Sequence, residues 1–293
     1  MELSKYGLWT VALDLQPAPA AREAAAEIES LGWGAIWIPE AANREAMANS
    51  MLLLGATEKI VVGTGIANLY ARDAMSMSAG SKTITAAYPD RFILGIGVSH
   101  QVAVEHMRGQ SYGKPYSTMK TYLETMESAM FFAAPPSVTP TTVLAALGPK
   151  MLELARDKTN GAHPYFVPVE HTPVAREILG AGKILAPEQA VVLDSNPESA
   201  RATARMHMQT YLGLPNYTNN LRRLGWGDDD LGGGGSDKLV DAIVAWGSTD
   251  DVVKRINDHH DAGADHVAVQ VLTPDPRALP MPQWRELASA LGL

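Results

Sequence analysis

No cysteine occurs in the 293 residues, so disulfides, thiolate metal sites and cysteine nucleophiles are excluded. No apolar run approaches the roughly 20 residues that a membrane span needs. The opening MELSKYGLWTVALDL lacks the basic segment and long apolar stretch of a secretory signal. Positive charge is scarce: 24 Lys and Arg stand against 32 Asp and Glu, a net charge of −8. Neither sign gathers into the stripe that tracks a phosphate backbone. The expectation is a soluble cytoplasmic protein that binds neither nucleic acid nor membrane. Several catalytic signatures are also missing, among them the GxSxG elbow and HExxH. His259 and His260 are adjacent on a helix and point to different faces, so they do not chelate together. Asp228–Asp230 lack the Gly and Glu spacing of a calcium loop. No metal site is expected.

What is present is an alternation of short apolar runs with amphipathic stretches. The runs cover 6–12, 35–38, 60–64, 92–97, 142–147, 162–166, 190–193 and 266–272. Most are continuously hydrophobic, as strands buried on both faces are. Eight of them fit a closed parallel barrel, and the length suits one α/β barrel in a single domain, 1–293. Between them, Ala24, Ile28 and Leu31 recur at helical spacing before Gly32, while Asn196-Pro197 and Ser248 followed by Asp250 and Asp251 read as helix starts. The competing open doubly wound sheet calls for GxGxxG after the first strand, and "YGLWTVALDLQPAP" has none. The fold expected is a (β/α)8 barrel with an insertion between strands 7 and 8, at 212–246. This insertion and the connection 99–115 are the long segments available to cover a site. Gly232–Gly235 read either as a hinge or as a mobile surface turn.

Chemistry in such barrels gathers at strand C-termini. There lie Pro39-Glu40, "VGTGIANLYARD" (62–73) and "YPDRFILGIGVSH" (88–100). Together with "ALGPKMLELA" (146–155), "NGAHPYFV" (160–167) and the segment 239–272, this order resembles the luciferase-like monooxygenase superfamily. Within it the likeness is to the branch of oxidoreductases that use the deazaflavin coenzyme F420, and it spans about 6–290.

The resemblance implies a hydride transfer between coenzyme F420 and a small organic substrate. FMN-dependent monooxygenation and a non-catalytic flavin-binding protein are the alternatives. It implies a cis peptide at Gly65–Ile66 behind the central ring, and Asn68 on the pyrimidine edge. The backbone of Val98 and Ser99 would meet the cofactor's linker. Leu147, Gly148, Lys150 and Met151 would meet its phosphate end, where a helix N-terminus favours an anion; a solvated Lys150 is equally open. His100 is the candidate proton carrier, since histidine titrates near neutrality. His106, His163 and His171 are weaker candidates, with His163 expected on the barrel wall. Glu40 is either catalytic or an anchor for Arg72, and the family's following histidine is replaced by Ala41. Trp9, Tyr165 and Gln270 are candidate substrate contacts. Asp90-Arg91, at the opposite end of the barrel, read as structural. Family members commonly dimerise through helices like 47–56 and 75–87, so a homodimer is expected, with methionines that otherwise only fill the layer beneath.

Overall fold

In the computed structural model, which describes residues 1 and 3–293, the parallel strands curl until the last stave meets the first. In chain order the first elements are β1 (Tyr6–Trp9), α1 (Ala18–Ser30), β2 (Ala35–Ile38), α2 (Ala46–Leu54), β3 (Val61–Thr64), β4 (Ala67–Asn68), α3 (Ala74–Ala87) and β5 (Phe92–Gly97). A single π-helical turn, Ala103–Met107, precedes α4 (Pro115–Ser128), β6 (Thr141–Leu144), α5 (Pro149–Lys158), β7 (Gly161–Ala162), α6 (His171–Leu179), β8 (Ile184–Leu185) and β9 (Glu188–Val192). Then follow α7 (Pro197–Leu212), α8 (Pro215–Arg223), α9 (Asp228–Leu231), α10 (Asp237–Ile243), β10 (Val244–Trp246), α11 (Thr249–Asp261), β11 (Val267–Val271) and α12 (Met281–Leu291).

Register closes the ring. Leu8 pairs with Ile36, Trp37 with Gly63, Val62 with Phe92, Ile96 with Leu144, Leu144 with Ala162 and Ala162 with Leu185. Val269 pairs with Gln189, and Tyr6 with Val267 completes the circle. The seventh stave is β8 and β9 in succession, so it begins before the apolar run 190–193; the Ala186-Pro187 step hides its first half in the sequence. β10 adds a strand against β9 that no apolar run announced. The α/β barrel expected from the sequence is the fold observed.

Local chemistry explains the helix starts. Asn196 Oδ1 accepts from the Glu198 and Ser199 amides, and Ser248 with Asp251 forms a reciprocal capping box. α1 buries Ala24 and Ile28 of the three positions that the helical spacing selected, and the third, Leu31, is its half-buried C-cap. The barrel interior holds imidazoles as well as apolar side chains. Trp37 stacks on His163 at 4.4 Å and donates its indole N–H to His266 Nε2 at 2.9 Å. His266 Nδ1 therefore donates to the Ser4 carbonyl at 2.6 Å. On α2 and α3 the methionines divide, with Met77 buried and Met51 and Met75 exposed. No helix among the described residues is long and apolar enough to cross a membrane.

The 212–246 segment is largely helical rather than a loose turn. Arg222 pairs with Asp228, Ser236 Oγ donates to Asp230, and Arg205 donates to the Gly235 carbonyl. Gly233, Gly234 and Gly235 take positive φ of 61°, 84° and 97°, a conformation open to glycine at little cost.

Candidate active site

A cavity of about 690 Å³ opens at the C-terminal end of the staves, within the range of roughly 300–1,000 Å³ usual for small-molecule sites. One wall comes from the ends of β3, β4 and β5. The Gly65–Ile66 peptide is cis, and Trp9 Nε1 donates to the Gly65 carbonyl at 3.0 Å. Two missing side chains shape this wall. A Cβ on Gly65 would lie 2.7 Å from Trp9 Nε1 and 2.8 Å from His163 Nε2. A Cβ on Gly97 would lie 2.5 and 2.6 Å from Ile66 side-chain carbons, so Ile66 rests directly on the Gly97 backbone.

Asn68 is 1% exposed and faces the cavity, and its Oδ1 accepts from the Tyr70 amide at 2.9 Å. Its Nδ2 donors and the second lone pair of Oδ1 are left to meet a ligand. Ser99 takes φ 56° at the end of β5, and that turn brings His100 to the cavity edge. The Ser99 carbonyl accepts from the Tyr112 hydroxyl at 3.1 Å, tying the 99–115 connection to the wall. Burial lowers the His100 pKa, an effect partly offset by the Asn216 side chain, so the imidazole is neutral at pH 7.

Most of the sequence-selected residues meet here: Trp9, Glu40, Gly65, Ile66, Asn68, Val98, Ser99, His100, Leu147, Gly148, Met151 and Tyr165 all line the cavity. Two expectations need correction. Lys150 is exposed, outside the cavity lining, because the second position of α5 turns outward. The cation that does face the uncapped Gly148 end of α5 is Arg223 from α8, whose Nη2 would be 3.1 Å from a Cβ there. Gln270 does not line the cavity but sits behind it, its Oε1 accepting from the Tyr165 hydroxyl at 2.9 Å. Glu40 is occupied: it forms a two-point ion pair with Arg72 and accepts the Ala46 and Asn68 amides at 3.1 and 2.7 Å. These contacts are the ones the anchor reading of Glu40 calls for, and through the Asn68 amide they tie Glu40 to the end of β4.

The weaker histidines separate. His163 lies in the cavity floor as well as against Trp37; its Nδ1 donates to the Ala186 carbonyl at 2.6 Å, and burial takes its pKa down to about 4. His171 Nε2 donates to the Leu147 carbonyl at 2.9 Å and so fixes that loop, while His106 is exposed and outside the lining. His259 bonds Thr172 and Gln189 whereas His260 bonds the Ala264 carbonyl, two separate environments. Arg91, at the far end of β5, holds the carbonyls of Thr57 and Ile60.

Sequence reasoning missed Tyr211, Tyr217, Asn216 and Arg223, which line the cavity from α7 and α8. The sequence marked only the helix start at Asn196-Pro197 and the 212–246 cover. The available signal was a pair of tyrosines, Tyr217 inside that cover and Tyr211 one residue before it.

The chain belongs to the luciferase-like monooxygenase family, which it matches over residues 4–266. It is 26% identical over 286 residues to a 5,10-methylenetetrahydromethanopterin reductase of Methanolobus tindarius, covering 82% of this chain and 86% of the relative. Its fold is similar to that of an F420-dependent secondary alcohol dehydrogenase in complex with an F420-acetone adduct (TM-score 0.75, 14% identity, 93% and 94% of the two chains). It is also similar to the oxygenating constituent of 3,6-diketocamphane monooxygenase from Pseudomonas putida in complex with FMN (TM-score 0.68, 14% identity, 97% and 96%).

Proposed function

We propose that the chain is an oxidoreductase that uses coenzyme F420, with its cofactor against the β3–β5 wall and a small organic substrate beside it. The observation that carries this reading is the glycine cradle: Gly65 and Gly97 leave a flat, apolar step made by Ile66, with the unpaired Nδ2 of Asn68 beyond it. A flat ring bearing carbonyl acceptors on one edge fits that step, because Asn68 Nδ2 supplies the matching donor. When bound, the deazaflavin supplies a carbon centre that carries a hydride. The chain's own residues orient, exclude water and move a proton. Glu40 and Arg72 hold the Asn68 backbone in place. A ring nitrogen of neutral His100 accepts a proton from a substrate hydroxyl and returns it in the reverse direction.

Titrating the protein separately with F420 and FMN, and following ring absorbance, tests the reading. Saturable F420 binding is expected; saturable FMN binding without F420 binding overturns it. FMN is the second reading because the Pseudomonas putida neighbour holds it and both rings are tricyclic. His100→Ala is expected to keep cofactor affinity while lowering reduction of the bound cofactor about 100-fold or more, the scale of acid–base assistance.

Arg223 gives an independent check. With its guanidinium over the Gly148 end of α5, Arg223→Ala is expected to weaken cofactor binding about tenfold, whereas Lys150→Ala leaves it unchanged. Isothermal titration of the two variants compares them directly, and a loss confined to Lys150→Ala would return the anion-binding role to Lys150.

A further inference from the structure

A second wall of the cavity differs in chemistry from the glycine cradle. Tyr165 follows β7, Tyr211 ends α7 and Tyr217 lies in α8; their rings touch edge to face, with 5.1 Å between the centroids of Tyr165 and Tyr211 and 5.2 Å between Tyr211 and Tyr217. Trp9 continues the surface 5.1 Å from Tyr165, and His100 lies 5.5 Å from Tyr217. The hydroxyls are ordered as well. Tyr165 donates its only proton to Gln270 Oε1 at 2.9 Å, so the 2.8 Å contact between the Tyr165 and Tyr211 hydroxyls uses the proton of Tyr211. Tyr211 is left with lone pairs alone to offer the cavity.

Charge is absent from this wall at neutral pH. Burial raises the Tyr211 pKa to about 12 and those of Tyr165 and Tyr217 well above their ordinary value. Burial likewise keeps His100 neutral and holds the Glu188 carboxyl, behind the tyrosines, at about 8. Glu40 is paired with Arg72, and the two cations of the cavity lining are directed elsewhere: Arg108 donates to the Ala41 carbonyl and Arg223 faces the Gly148 end of α5. An anionic or cationic substrate group placed here would lose its water without gaining a counter-charge, a cost of several kcal/mol.

We infer that the tyrosine wall selects an uncharged, ring-bearing compound with a hydroxyl donor, held face or edge against Tyr165 and Tyr217 with its O–H directed at the Tyr211 oxygen. This rests on the oxidoreductase reading, and it assigns the substrate class and makes Tyr211 the residue that reads it.

The test uses probes in place of the unidentified substrate. F420-loaded protein is titrated calorimetrically with 1-phenylethanol, mandelate, 2-propanol and acetophenone. 1-Phenylethanol is expected to bind at least about tenfold tighter than mandelate, which adds a carboxylate, or 2-propanol, which lacks the ring. Tyr211→Phe is expected to remove the preference for 1-phenylethanol over acetophenone while F420 affinity and the circular dichroism spectrum stay unchanged. Mandelate binding as tightly as the neutral alcohol, no saturable binding of 1-phenylethanol, or a Tyr211→Phe variant with its preference intact overturns the inference. Should F420 fail to load, the oxidoreductase reading falls; the same probe titrations on cofactor-free protein then decide whether the wall, which the chain builds alone, selects the neutral ring-bearing alcohol.

Discussion

Lowering the pH from 6.5 to 4.5 is expected to remove about 6 kcal/mol of folding stability, enough to unfold a protein of ordinary marginal stability. The cause is four histidines sealed inside the barrel and its helical layer. Burial takes the pKa values of His163, His207 and His266 down to about 4 and that of His259 down to about 3. In the unfolded chain each binds a proton near pH 6.5. Between pH 6.5 and 4.5 the unfolded state thus holds up to four more histidine protons than the native state, and stability falls as pH falls. Glu188 works the other way: its native pKa of about 8 means that the folded chain keeps a proton that the unfolded carboxyl has lost above about 4.5. The net difference is about three protons, or about 4 kcal/mol per pH unit. Urea unfolding followed by circular dichroism at several pH values gives the slope directly. Glu188→Gln removes the opposing proton and is expected to steepen it by about 1.4 kcal/mol per unit. A stability flat from pH 6.5 to 4.5 would mean that these imidazoles are not sealed.

A second large effect separates two glycines on the same strand. Gly95 and Thr64 lock β3 to β5: the Gly95 amide donates to Thr64 Oγ1 at 2.9 Å, and Thr64 Oγ1 donates back to the Gly95 carbonyl at 2.8 Å. A Cβ on Gly95 would fall inside the Thr64 carbonyl oxygen, which is backbone and cannot step aside. Gly95→Ala is therefore expected to destabilise by about 4 kcal/mol or more, among the largest effects of single substitutions. At Gly97 the obstacle is the Ile66 side chain, which can turn away. Gly97→Ala is expected to cost only about 1–2 kcal/mol yet to weaken cofactor binding more than tenfold, because the step under the ring is displaced. Thermal melts and F420 titrations of the pair distinguish the two outcomes. Equal stability losses would show that the strands relax together, and unaltered F420 affinity in Gly97→Ala would remove Ile66 from the binding surface.

The staves were legible in the sequence because burial on both faces leaves a continuous apolar run, as in β2 and β5. The β3–β5 wall of the cavity was legible because its parts are local: Gly65 through Asn68 and Gly97 through His100 are short stretches at strand ends whose order carries the family resemblance. What lay outside the sequence was partnership across distance. Glu40 meets Arg72 after 32 residues, and only the folded chain decides whether that carboxylate is free or consumed. Lys150 and Arg223 have the same charge, and helix direction alone puts one in water and the other over Gly148. Tyr211 and Tyr217 belong to helices whose inward face turns toward the barrel mouth rather than the barrel side, a difference that amphipathic spacing does not encode.

The cleft is also split along the chain. The cradle for a flat ring is built before residue 100, whereas Tyr211, Tyr217 and Arg223 hang from the connection that leaves β9 and returns at β10. Substitutions in that later stretch can reshape what is recognised without disturbing Gly65, Asn68 or Gly97, so preference can be altered by exchanging one segment while the first half of the cleft stays as it is.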